Sequence, residues 1–123
     1  MKITAFDPII VTTKSDEVMN IFEELGFEKR HRQENIGEKG ITGIRMKDAE
    51  GFYVDISQSD APIPNDMVSI RMNVDNFEEA YDLLIAHGFK NYYGDQSVNA
   101  KTSKSAIMIS PSGYVINLIH HIK

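Results

Sequence analysis

Two stretches decide how this chain reads: TKSDEVMNIFEELGF at residues 13–27, and DNFEEAYDLLIAHGF at residues 75–89. In the first, Val18, Ile21, Phe22 and Leu25 fall at i, i+3, i+4 and i+7, one apolar stripe of a helix. Ser15 is placed to cap it, and Asp16 and Glu17 suit the positive end of its dipole. In the second, Phe77, Ala80, Tyr81 and Leu84 repeat the stripe, and Asp75 with Glu78 resembles a capping box. Gly26 and Gly88 stand where a left-handed residue ends a helix. Phe27 and Phe89 then resume extended chain.

The spacing carries further than either helix alone. Gly26 and Gly88 are 62 residues apart, and so are Met46 and Met108, and Gly51 and Gly113. Gly51 and Gly113 each precede an aromatic residue and a strand, Phe52–Ile56 and Tyr114–Leu118. A constant offset at several landmarks signals a duplicated supersecondary unit. Each half reads strand, helix, strand, strand, strand. The strands fall at about 3–11, 27–32, 41–46 and 51–57, then at 67–74, 89–93, 105–109 and 114–120. A hairpin turn is expected at 35–40 and matching turns at 48–51 and 110–113. The prediction is one α+β domain over 1–123. It holds two βαβββ modules, about 1–59 and 67–123, joined by a linker at about 60–66 stiffened by Pro62 and Pro64. Each sheet needs helix cover on one face, so the two curved mixed sheets are expected to enclose a central cleft, a common place for a small ligand.

Bulk properties agree and exclude some functions. The chain has 123 residues, enough for one core, with 41% apolar and 25% charged residues. A net charge of −5 argues against nucleic acid and anionic membrane, since there is no excess positive charge to release counterions. The densest basic run, Lys29 to Arg32, is flanked by Glu28 and Glu34 and reads as a solvated strand edge. There is no cysteine, which removes disulfides, thiolate nucleophiles and cysteine metal sites. No apolar run approaches about 20 residues, and the amino-terminal residues lack a signal-peptide core, so the expected location is cytoplasmic.

The order of elements, the helix–Gly–Phe junctions and the turn–glycine–aromatic strands resemble the vicinal oxygen chelate superfamily. Glyoxalase I, extradiol dioxygenases, and fosfomycin and bleomycin resistance proteins share that fold. The resemblance covers nearly the whole chain and implies fold more than activity. Metal enzymes of the superfamily place ligands at positions that correspond here to Phe6, Asp55, Ser69 and Asn117. Phe6 cannot ligate, Ser69 and Asn117 are weak neutral donors, and only Asp55 is charged, so neither metal nor other cofactor is expected. His87 reads as a cation at a helix C-terminus, and His120 and His121 as the solvated end of a strand.

Strand alternation gives a candidate cavity lining. Ser69, Arg71 and Asn73 share one face of their strand, with Val68, Ile70, Met72 and Val74 on the helix side. Tyr53 and Asp55 face the cleft, as do Val115, Asn117 and Ile119. On the first strand Phe6, Pro8 and Ile10 are assigned there. The expected ligand-binding set is therefore Phe6, Ile10, Tyr53, Asp55, Ser69, Arg71, Asn73, Val115, Asn117 and Ile119. Asp55 and Arg71 read either as a structural ion pair, or as a base beside an arginine that holds a carboxylate or phosphate. The stretch 95–104 reads as an irregular segment suited to a lid.

The leading expectation is a metal-free small-molecule binding protein that sequesters a drug or metabolite, as in antibiotic resistance. The alternative is an enzyme, a lyase, isomerase or dioxygenase using a divalent metal or a catalytic Asp55. A homodimer is what the resemblance implies.

Overall fold

The computed structural model describes residues 1–33, 42–59, 61–99 and 103–121; the turn expected at 35–40 lies outside them. The fold is α+β. The chain divides into a first unit, Asp7–Val68, and a second, Met1–Phe6 with Ser69–Lys123.

The first unit contains most of β1 (Ile3–Thr12), then α1 (Ser15–Glu24), β2 (Glu28–Gln33), β3 (Thr42–Lys47) and β4 (Tyr53–Gln58). Its strands lie in the order β2-β3-β4-β1, with β4 parallel to β1 and the other pairs antiparallel. β2 is the edge, and its register shifts between Lys29 and His31, so the basic run does lie on an edge strand broken by a bulge. Val18 of α1 packs on Ile44, Met46, Val54 and Ile56, with Phe22 and Phe27 against them. Ile21 and Leu25, expected in the buried stripe, are exposed.

The second unit holds β5 (Met67–Val74, from Ser69), α2 (Phe77–Ala86), β6 (Lys90–Asn91), β7 (Val98–Asn99), β8 (Ser103–Ile109) and β9 (Val115–His121). β5 runs parallel to β9, which pairs antiparallel with β8, and β6 and β7 both pair with β8. Phe77, Ala80 and Leu84 of α2 pack on Met72, Val74, Met108 and Leu118. Residues 100–102 of the expected lid lie outside the described residues; residues 95–99 include β7, whose Val98 is buried and which pairs with β8. Val68, assigned to the helix side, is exposed.

Both helix starts differ from the sequence reading. Ser15 is the first residue of α1 rather than its cap. Its amide donates to Oε1 of Gln58 at 2.8 Å, while Nε2 of Gln58 donates to the Thr13 carbonyl at 2.8 Å. A side chain 43 positions away thus takes over the capping role. On α2 the cap is Asn76, whose Oδ1 accepts from the Glu79 amide at 3.1 Å. Asp75 instead accepts from the Lys2 amide at 2.6 Å and helps fix the first residues of β1 in the second unit. Both helices end as expected, at Gly26 (φ 103°) and Gly88 (φ 90°).

Candidate functional site

In each unit the sheet has one face under its helix and one turned away, and the polar side chains collect on the second face. The register decides which residues share it, because directly paired residues point the same way.

In the first unit β1 and β4 pair Ile9 with Asp55 and Ile10 with Ile56. Ile56 lies in the helix-packed cluster, and Ile10 packs against that cluster too. The assignment of Ile10 to the binding face is therefore corrected: Asp7, Ile9 and Val11 share the Asp55 face. Phe6, which alternates with Ile10, is 63% exposed. On β3, Arg45 pairs with Asp55 across the ladder. Asp7 and Asp55 are both buried. Nη2 of Arg45 lies 3.9 Å from Oδ1 of Asp7, and its guanidinium carbon 4.1 Å from the centre of the Tyr53 ring. Nζ of Lys47 lies 5.3 Å from the same ring. Two buried carboxylates thus share a face with a guanidinium seated on an aromatic ring, an arrangement that lowers the cost of holding the acids out of water.

Asp7 and Arg45 were not singled out from sequence. A signal for Arg45 existed: it sits between Ile44 and Met46, so alternation sends it away from the helix. None existed for Asp7, because Ile9-Ile10-Val11 is apolar at every position and has no visible phase.

In the second unit β5 and β9 pair Arg71 with Asn117 and Asn73 with Ile119. Ser69, Arg71, Asn73, Val115, Asn117 and Ile119 share the face opposite the helix-packed Met72 and Leu118. Nε of Arg71 donates to Oδ1 of Asn73 at 3.0 Å, and its Nη2 lies 3.2 Å from Nε2 of His121. A guanidinium only donates, so in that contact His121 accepts through an unprotonated Nε2. His121, the last residue of β9, is exposed as expected of a solvated strand end, and it is tied to Arg71 by this contact. Nδ2 of Asn117 donates to Oγ of Ser69 at 3.3 Å. Oδ1 of Asn117 is buried and has no hydrogen-bond partner among the described residues.

The positions that the resemblance named for metal ligands make a poor donor set for a transition metal. Phe6 has no donor atom and lies off the face that Asp55 shares with Asp7, and Ser69 and Asn117 offer only neutral oxygens, the Ser69 hydroxyl already accepting from Nδ2 of Asn117. Among the described residues no three His, Asp or Glu side chains are grouped to hold an ion.

Two units, each a strand, a helix and a run of further strands (three in the first unit, four with the short β7 in the second) whose first and last strands pair in parallel, have the vicinal oxygen chelate fold, and solved structures agree. Methylmalonyl-CoA epimerase from Mycobacterium tuberculosis is similar at a TM-score of 0.76 and 13% identity, over 98% of this chain and 90% of that one. Streptomyces coelicolor methylmalonyl-CoA epimerase in complex with 2-nitronate-propionyl-CoA gives 0.74 and 15%, over 99% and 100%. A glyoxalase/bleomycin resistance protein/dioxygenase superfamily member from Vibrio splendidus gives 0.65 and 17%, over 98% and 100%. At such identities the likeness is one of fold. No family model matches the sequence, and no curated protein does.

Proposed function

We propose that this chain is a small-molecule binding protein that needs no metal ion, holds its ligand on the polar sheet face of the second unit, and sequesters a drug or metabolite rather than transforming it. The observation that carries this reading is Oδ1 of Asn117, a buried acceptor without a donor among the described residues. Leaving such a group unmet costs about 1–3 kcal/mol, and a ligand N–H or O–H would recover it. Ser69, Arg71 and Asn73 of the same unit supply further polar contacts. Val115 and Ile119 on β9 add apolar surface. Thermal-shift screening of chelator-treated protein against a metabolite and antibiotic collection tests it. A ligand should raise the melting temperature of the native protein and lose that effect in Asn117→Leu. If no compound stabilises the chelator-treated protein, the reading fails.

A second reading has its own support in the two buried carboxylates of the first unit and in the epimerases that share the fold. Here Asp55 would act as a base that abstracts a proton next to a thioester carbonyl. Deuterium wash-in at the α-carbon of an acyl-CoA, abolished by Asp55→Asn, would establish it. Absence of exchange over hours at high protein concentration would leave binding alone. The homodimer belongs to this proposal as well, and light scattering at the chain mass of 13.9 kDa or twice that value decides it.

A further inference from the structure

The second unit carries a cavity of about 570 Å3 at the C-terminal end of α2, beside the turn that precedes β9. It is lined by the buried Leu84 and Phe89 and by Leu83, Pro111 and Ile116. His87, Ser112 and Tyr114 add polar atoms to the lining. These residues lie on the helix side of the sheet, apart from the face that carries Arg71 and Asn117.

The internal repeat shows what is particular about this place. Counting back 62 residues, Leu84 corresponds to Phe22, His87 to Leu25, Ser112 to Glu50 and Tyr114 to Phe52. In the first unit the Phe22 ring packs edge-on against Phe27 at 5.4 Å. In the second unit the smaller Leu84 stands there, and Phe89 makes its edge-on contact with Tyr114 at 5.7 Å instead. The change from Phe to Leu removes a ring from the lining. The changes at the other three positions place an imidazole, a hydroxyl and a phenol around the space. Tyr114 is 54% exposed, so its ring has a face open to solvent.

We infer that this cavity is a binding site for a neutral or cationic planar aromatic molecule of one or two rings, stacked on Tyr114 and Phe89. Volume sets the size, since small-ligand sites span about 300–1,000 Å3 and a protein partner needs a far broader surface. The helix end sets the charge. The site borders the carbonyl terminus of α2, whose partial negative charge disfavours anions. His87 caps that terminus, with its amide bonded to the Leu83 and Leu84 carbonyls, and Ser112 and Tyr114 offer hydroxyls to a polar ring substituent. Gly88 and Pro111 approach closely at this site, since a side-chain carbon added at Gly88 would meet Cγ of Pro111 at 3.0 Å.

Titration of isotope-labelled protein with tryptamine, and with indole-3-acetate as the anionic counterpart, tests this. Tryptamine should shift the resonances of Leu83, His87, Ser112 and Tyr114, and bind at least fivefold more tightly than indole-3-acetate. Leu84→Phe, which restores the residue of the other repeat, and the surface change Tyr114→Ala should each weaken tryptamine binding at least tenfold. The Tyr114 variant keeps the test decisive if Leu84→Phe perturbs folding. Shifts confined to the Arg71 and Asn117 face, no shifts at millimolar tryptamine, or undiminished binding by Tyr114→Ala would each overturn the inference.

Discussion

Replacing Arg45 by alanine removes the cation that lies between the buried Asp7 carboxylate and the Tyr53 ring. At 3.9 Å from Asp7 Oδ1, and an effective dielectric constant of about 20, the Coulomb attraction is about 4 kcal/mol. The Arg45 side chain is 20% exposed and that of Asp7 only 5%, so solvent screens one end and the net loss falls to roughly 2 kcal/mol. Losing the contact with Tyr53 adds about 1 kcal/mol. The sum, roughly 3 kcal/mol, is a large share of the 5–15 kcal/mol typical of a domain and corresponds to roughly 10 °C in melting temperature at this size. Urea titration followed by circular dichroism measures it. Arg45→Lys should recover part of the loss by keeping the charge without the stacking plane. In a double-mutant cycle with Asp7→Asn the two changes should couple by at least about 1 kcal/mol. A loss below about 0.5 kcal/mol for Arg45→Ala, or strict additivity with Asp7→Asn, would refute the reasoning.

Gln58→Ala should destabilise by about 1–2 kcal/mol, since it removes two hydrogen bonds that start α1, and exchange of the Ser15 amide with deuterium should quicken first. Asn76→Ala should cost about 1 kcal/mol, and Asp75→Ala should instead loosen the first residues of β1, both visible by hydrogen exchange. Burial, with Tyr92 adding to it, raises the Tyr93 phenol above its ordinary 10.0. The unfolded chain then ionises first, so this contribution to stability is complete below pH 10 and is lost as the pH rises through the higher native value. Tyr93→Phe should flatten the fall of stability above pH 10, and phenolate absorbance should show one late-titrating tyrosine. Asn117→Leu should change stability by less than about 1 kcal/mol, because removing the unmet acceptor offsets the loss of the bond from Nδ2 to the buried Ser69 hydroxyl.

The fold was readable because duplication wrote it twice: the stripes, the glycines that end the helices and the glycine–aromatic turns recur at one offset. The second-unit face was readable too, because Ser69, Arg71 and Asn73 alternate cleanly with apolar residues on β5. β1 was not. Its run Ile9-Ile10-Val11 is apolar on both faces, and only pairing with β4, 46 residues away at Ile9 and Asp55, sets its phase. Phe6 and Ile10 were assigned to the wrong face for that reason, and Asp7 was missed. The caps failed on similar grounds: Gln58 reaches α1 from β4, and Asp75 is drawn from its helix by the Lys2 amide. Local motifs show where a helix begins, but tertiary partners decide which side chain closes it.

Co-crystallisation of chelator-treated protein with the compound that most raises its melting temperature tests the central claim directly. The account predicts ligand density that donates a hydrogen bond to Oδ1 of Asn117, with no metal between ligand and protein. A divalent ion bound by Asp55 in crystals grown without chelator and required for the ligand to bind, or ligand density that leaves Asn117 untouched, would contradict it.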